Sequence, residues 1–171
     1  MKRILLVAAL VFFATSAYGV EKIGFVDLQK ALNESDAGIK AKTKLEAVVK
    51  EKQAAVDEKS KEIEKFKTEL EQQSSALSPE AKKAKQDELE KMMRDYQRLV
   101  KDSQDEIRKE ESELTSTIIS ELRGITEKIG QEDGYTIIFE AGDTSILYHQ
   151  KGLDITDKVL KRFNETHKQK K

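Results

Sequence analysis

The chain has 171 residues, of which 37% are charged and none is cysteine, and its formal net charge is −1. A balance so close to neutral argues against a nucleic-acid-binding protein, which normally carries a basic surface. Without cysteine we expect neither a disulfide nor a lipid-modified cysteine anchor. A small fold exported to an oxidising compartment would therefore need another source of stability.

Residues 1–19 have the pattern of a cleaved signal peptide. Lys2 and Arg3 precede an apolar run of 11 residues, and the small residues Ala17 and Gly19 occupy the positions required for cleavage before Val20. A membrane-spanning helix would need about 20 apolar residues. We therefore expect export of the chain and removal of the signal.

Residues 39–123 contain no glycine, although average usage would place roughly six there. Pro79, the only proline of the chain, lies near the middle of this stretch. Because glycine and proline disfavour helix interiors, the pattern predicts two long helices joined at a tip near Pro79. Half of residues 40–113 are charged, so these helices should project into solvent as an arm.

Apolar residues recur every seven positions on both predicted helices, which is typical of a coiled coil. The neighbouring row is partly polar, with Lys52, Lys59, Ser103 and Glu110, so the pairing should be imperfect. The predicted seam consists of Val49, Val56, Ile63, Leu70 and Leu77 on the first helix and Met93, Val100, Ile107 and Leu114 on the second.

Ser35 is suited to cap the first helix and Ser78 the second, and Pro79 fits the first turn of the second helix. These features favour an antiparallel hairpin over a long rod paired between subunits. At 1.5 Å per residue, an arm of about 40 residues would reach roughly 60 Å.

The chain divides into residues 1–19 as signal peptide, residues 20–38 and 124–167 as a discontinuous body, residues 39–123 as arm and residues 168–171 as a disordered basic tail. The predicted fold class is α+β, with a small oligomerisation body and a protruding coiled-coil hairpin; the resemblance described below implies that this body is β-barrel-like.

Within the body, residues 135–140 and 144–149 are predicted strands joined as a β-hairpin, and Thr156 is predicted to cap the last helix. A body this small rarely stabilises itself, so we expect oligomerisation through its strands. The candidates for the body or oligomer core are Ile23, Phe25, Ile137, Phe139, Ile146, Tyr148, Leu160 and Phe163.

The sequence predicts no enzyme. It contains no phosphate-binding loop, dinucleotide fingerprint or nucleophile elbow, and no cluster with the spacing of metal ligands. His149 and His167 are the only histidines, and a solvated role is favoured for both. We therefore expect no catalytic residue, no cofactor and no metal.

Four segments together carry a family resemblance: KIGFVDLQKALNES at 22–35, GYTIIFE at 134–140, SILY at 145–148 and DITDKVLK at 154–161, with the charged hairpin between the first two. In this order they resemble the Skp (OmpH) family of periplasmic chaperones over the whole mature chain. The resemblance implies a homotrimer with a small β-barrel body and three helical arms. It also implies an ATP-independent holdase that encloses unfolded outer-membrane β-barrel proteins.

The best-known family members are strongly basic, whereas this chain has a pI near 6.2. We therefore do not expect this chain to share a binding site for anionic lipid or lipopolysaccharide with those family members.

Apolar residues beside the seam are the candidates for client contact, since many weak contacts give avidity with fast release. The alternative is that they only widen the internal contact of the arm. The candidates are Val48, Phe66, Met92, Tyr96 and Leu99.

A second functional hypothesis is a periplasmic coiled-coil adaptor or spacer that docks a fixed membrane partner by its tip. Such a tip should carry a compact apolar patch, yet residues 72–83 offer only Ala76, Leu77 and Ala81. A membrane-surface helix fits poorly because the apolar stripe is narrow and the charge is balanced.

Overall fold

The computed structural model describes residues 21–142 and 146–169, so the predicted signal peptide lies outside the described part. It confirms an α+β fold dominated by a long helical hairpin. The elements in chain order are β1 (Ile23–Val26), α1 (Leu28–Glu34), α2 (Asp36–Gln73), α3 (Pro79–Asp133), β2 (Ile137–Glu140), a 3-10 turn (Lys151–Leu153) and α4 (Thr156–Gln169).

The hairpin is built by α2 and α3, which have 38 and 55 residues. Its ends follow the predicted capping chemistry: the Ser35 side chain accepts a hydrogen bond from the Gly38 amide, and Ser78 accepts one from the Ala81 amide. Pro79 is the first residue of α3, where its missing N–H costs nothing. At 1.5 Å per residue, α2 is about 57 Å long.

The two strands pair in parallel, with Ile23 opposite Ile137 and Val26 opposite Glu140. On the other edge of β1, the Ile155 amide donates to the Phe25 carbonyl at 2.8 Å. The chain therefore passes from one edge of the sheet to the other between β2 and α4, and the His149 ring stacks on Phe25 on the way, with 4.4 Å between ring centroids.

This crossing explains why the predicted β-hairpin is wrong. A hairpin would lay residues 144–149 beside β2, but the described residues 146–149 form no strand, and the described pairing of β2 is with β1. The aromatic and β-branched run was correctly identified as apolar, but it lies across the sheet instead of extending it.

The core is assembled from both ends of the chain, with α1, the last part of α3 and α4 packed around β1. The core includes Ile118 and Leu122, although the boundaries predicted from the sequence assign both residues to the arm. Their spacing of three and four residues continues through Ile125 and Ile129 on the buried side of α3. The buried cluster contains Val26, Leu28, Ala31, Leu32, Ile118, Leu122, Ile125, Ile129, Ile155, Val159 and Phe163.

Helix α4 differs from expectation at both ends. Thr156 is the first residue of the helix, and its buried hydroxyl accepts a hydrogen bond from the Asp27 amide at 2.8 Å instead of capping its own helix. At the other end, Lys168 and Gln169 are still helical, so they do not belong to the predicted disordered tail. Lys170 and Lys171 lie outside the described residues.

The Asp154 carboxylate accepts a hydrogen bond from the Thr156 amide at the start of α4, and the stability that this bond contributes should depend on pH. Partial burial acts to raise the pKa of Asp154, but hydrogen bonds from the side chain and amide of Thr156 outweigh burial and hold the pKa below its usual value. The ionised form is therefore favoured in the folded chain. Its contribution is present above the unfolded pKa of about 3.9 and is lost as pH falls through the lower folded value.

We predict that Asp154→Asn lowers the free energy of unfolding by about 1 kcal/mol at neutral pH, the usual effect of losing a charged or capping acceptor at a helix start. The difference from wild type should shrink as pH falls below 4. Urea titrations between pH 7 and pH 3 test this, with Asp157→Asn, an exposed neighbour paired to Lys30, as control. A difference that stays constant over this range would contradict the assignment.

Candidate functional site

The two helices of the arm meet along a seam that differs from a strict seven-residue row. On α2 the half-buried positions follow steps of three and four residues, with two consecutive steps of four around Lys52. From residue 45 onward these positions are Leu45, Val48, Lys52, Val56, Lys59, Ile63, Phe66 and Leu70, and Glu69 beside Leu70 is half-buried as well.

Two residues of the predicted seam consequently point away from it. Val49 is 40% exposed and Met93 is 49% exposed, whereas Val56, Ile63, Leu70 and the other members are half-buried. The reason is geometric: a seven-residue row lags a straight helix by about 20° per repeat. Val49 is three repeats from Leu70, and Met93 is three repeats from Leu114, so each has turned by about 60°.

The five candidates for client contact lie inside this arrangement. Val48, Met92 and Leu99 are half-buried, as are Phe66 and Tyr96. The Lys85 ammonium also covers the Phe66 ring, 5.1 Å from its centroid. This placement favours the alternative that these side chains widen the internal contact of the arm.

Polar residues complete the seam. Ser103 is 6% exposed, and Lys52 forms an ion pair with Glu106 across the helices. A hydrogen bond with that carboxylate raises the pKa of Lys52, which therefore stays charged. Lys44 pairs with Glu110 in the same way at 2.6 Å. Both contacts are partly exposed, so each contributes little to stability.

Most of the predicted core residues of the body are buried or half-buried, and Phe25 lies in a stack of rings. Phe25 is buried between the rings of Phe139 and His149, with ring centroids 5.6 and 4.4 Å away. The role of His149 in this stack was missed from the sequence, which gives no sign of the chain crossing. Phe163 is 1% exposed, and Ile23, Ile146 and Leu160 are half-buried.

Among the described residues of the body, four large apolar side chains are exposed in the single chain: Ile137, Phe139, Leu147 and Tyr148, with Leu147 at 95% and Tyr148 at 81%. A groove of about 440 Å³ runs between β2 and α3 nearby, lined in part by Tyr135, Ile137 and Ile138. The assignment of Ile137, Phe139 and Tyr148 to an oligomer core stays a prediction, because a single chain does not bury them.

No group of three or more His, Asp or Glu side chains within residues 21–142 and 146–169 is placed to hold a metal ion. Over the same residues, no helix is both long and apolar enough to cross a membrane.

Comparison with known proteins gives a family match over residues 22–163, to the family described as outer membrane protein (OmpH-like). The chain belongs to the OmpH-like family. The match in this OmpH-like chain spans the body and the arm, from β1 to the buried Phe163. No curated protein matches it.

A solved structure has the same fold as this OmpH-like chain. It is that of a proposed outer-membrane chaperone (OmpH-like) from Caulobacter crescentus CB15, with a TM-score of 0.79 and 15% sequence identity. The similarity covers 86% of each chain. At this identity the comparison establishes the architecture of body and arm.

Proposed function

We propose that this protein is an ATP-independent periplasmic holdase that encloses unfolded outer-membrane β-barrel proteins between helical arms and prevents their aggregation. The observation that most supports this function is a solvated hairpin about 57 Å long that extends from a small body with exposed apolar side chains. Family membership and the fold shared with a proposed outer-membrane chaperone support this function. The predicted signal peptide supports a periplasmic location.

The assembly that we propose is a homotrimer joined through the sheets of the body. Exposed Ile137, Phe139, Leu147 and Tyr148 form an apolar surface that a monomer would leave in water, which favours association. Three arms around one body would give a cavity in which many weak contacts act together. No energy source is required, because each contact alone dissociates quickly.

The arm is less suited to the adaptor hypothesis. A docking tip needs a compact apolar patch. At this tip Ala76 is exposed but small, and Leu77 is already half-buried within the arm itself. The apolar surface lies instead along the arm and on the body. Discrimination between the two hypotheses rests on client breadth: a holdase binds many unfolded barrels, whereas an adaptor binds one folded partner.

Native mass spectrometry of the mature protein, alone and after dilution of a urea-unfolded outer-membrane barrel protein, tests this proposal. We expect a trimer that takes up one client and keeps it soluble without ATP. The variant Leu147→Ser/Tyr148→Ser should be mainly monomeric and should lose protection, because it removes the two most exposed apolar side chains of the body. The matched control is Ser substitution of the exposed arm residues Ala55 and Ala84, which should leave the assembly intact. A wild-type monomer that ignores unfolded clients would overturn the proposal.

A further inference from the structure

The two long sides of the arm differ in chemistry. Along the seam between α2 and α3, one side carries the ion pairs Lys44–Glu110 and Lys52–Glu106. We call this the paired flank. The other side, which we call the open flank, carries the exposed apolar side chains of Val49 and Met93.

Helix geometry places Val49 and Met93 on the same flank. Both seven-residue rows rotate out of the seam in the same sense relative to their own chain direction. Because the helices are antiparallel and face each other, this rotation brings both rows to one side of the hairpin. At about 100° per residue, Lys44 lies about 140° from Val49 and Glu110 about 100° from Met93, on the paired flank.

Each exposed residue lies beside a half-buried leucine in a shallow depression. Val49 follows Leu45 by one helical turn, and Met93 follows Leu89 in the same way, in depressions of about 600 and 640 Å³. Their rims are charged with both signs: Lys42, Glu46, Lys50 and Asp57 around the first, and Lys83, Asp87 and Glu90 around the second.

We propose that the open flank, through Val49 and Met93, is the surface of the arm that contacts unfolded clients. The inference rests on the proposed holdase function and assigns its contact surface. The occupant is an extended polypeptide segment with apolar side chains. Rims that carry charges of both signs attract neither a polyanion nor an anionic membrane strongly, but they tolerate an uncharged chain whose side chains reach Val49 and Met93 in the depressions.

The spacing of the two depressions suits such a segment. The ion pairs bring Val49 level with the part of α3 near residue 107, so Met93 lies about 20 Å further along the arm. An extended chain rises about 3.4 Å per residue, and about six residues would therefore reach from one depression to the other. Methionine suits a surface that meets varied side chains, because it is flexible and polarisable.

The absence of cysteine allows a direct test. Single-cysteine variants Val49→Cys and Met93→Cys, each carrying a thiol-linked photo-crosslinker, are compared with Ala55→Cys and Ala84→Cys. Ala55 and Ala84 are exposed and lie about 120° from Val49 and about 180° from Met93, away from the open flank. With a urea-unfolded outer-membrane barrel protein as client, we expect several-fold higher client adducts at positions 49 and 93.

Equal adducts at all four positions, or an excess at 55 and 84, would overturn the inference while wild-type protection of the client leaves the holdase proposal intact. Adducts between chains at 49 and 93 without client would also overturn it, because the flank would then pack against a second copy. If wild-type protein fails to protect the client at all, the proposed function itself fails.

A second measurement separates contact from stability. Val49→Ser/Met93→Ser should raise the protein concentration needed to keep the client soluble, with no change in thermal unfolding of the arm. Val48→Ser/Met92→Ser should instead lower the unfolding temperature, because both side chains are half-buried in the seam. Unchanged protection by the first pair at unchanged stability would contradict the assignment.

Discussion

Gly38→Ala should lower the free energy of unfolding by about 3 kcal/mol or more, the effect of an overpacked buried site whose neighbour is backbone. A Cβ at Gly38 would lie 1.8 Å from the carbonyl oxygen of Leu32, far inside contact distance. The obstacle is the end of α1, which cannot rotate aside as a flexible side chain could.

The packing at the corner between α1 and α2 leaves no room for a side chain at residue 38. The Ser35 hydroxyl is fully buried, donates to the Leu32 carbonyl and accepts the Gly38 amide, each at 3.0 Å. Leu32 itself belongs to the buried core. Displacing α1 to admit a methyl group would therefore break the cap of α2 and loosen the body together.

Gly124→Ala is the matched control. Gly124 lies inside α3, and a Cβ there meets nothing within 4 Å. Alanine is favoured over glycine in a helix interior, so this variant should gain about 1 kcal/mol. Urea unfolding followed by far-ultraviolet circular dichroism measures both variants. A Gly38→Ala protein as stable as wild type would show that the corner is looser than its contacts indicate.

Phe163→Ala is expected to lower the free energy of unfolding by about 3–5 kcal/mol, the usual cost of removing a buried phenylalanine. Phe163 is 1% exposed in the core with Leu122 and Val159. Its ring also lies 4.4 Å from the ring of His167, which contacts Glu121 on α3. The cavity would thus open where α4 packs on the base of the arm.

Leu160→Ala, on the same helix, is the control for this prediction. Leu160 is only half-buried, so its truncation should cost about 1 kcal/mol, from the smaller apolar area that leaves water. The comparison is made by urea unfolding with hydrogen exchange of the α4 amides, which should lose protection in Phe163→Ala. Equal losses in the two variants would contradict the difference in burial.

Prediction from sequence succeeded best where the determinants are local. The lack of glycine over residues 39–123 and the Ser78–Pro79 pair at the start of α3 were enough to predict two long helices with a break between them. The Ser35 cap was identified in the same way, since each of these signals acts within a few residues.

The candidate site was harder to predict because a helical row gives no absolute angle. A seven-residue repeat placed Val49 and Met93 in the seam, and only the packed hairpin shows how far each row has turned. The neighbours Val48 and Met92 are half-buried for the same reason. A difference of one residue in register exchanges an internal contact for a surface available to a partner.

The helical arm, the break at its tip, the α+β class and the family resemblance were thus predictable from local sequence signals. Three features became visible only in the folded chain: the parallel pairing of β1 with β2, the crossing of the sheet by residues 146–149, and the hydrogen bond from the Asp27 amide to the Thr156 hydroxyl. The strand pairing and the Asp27–Thr156 hydrogen bond join residues more than 100 positions apart, and the path of residues 146–149 depends on that strand pairing. Local propensity and capping act over single turns, whereas strand pairing and side-chain burial depend on which distant segments arrive beside them.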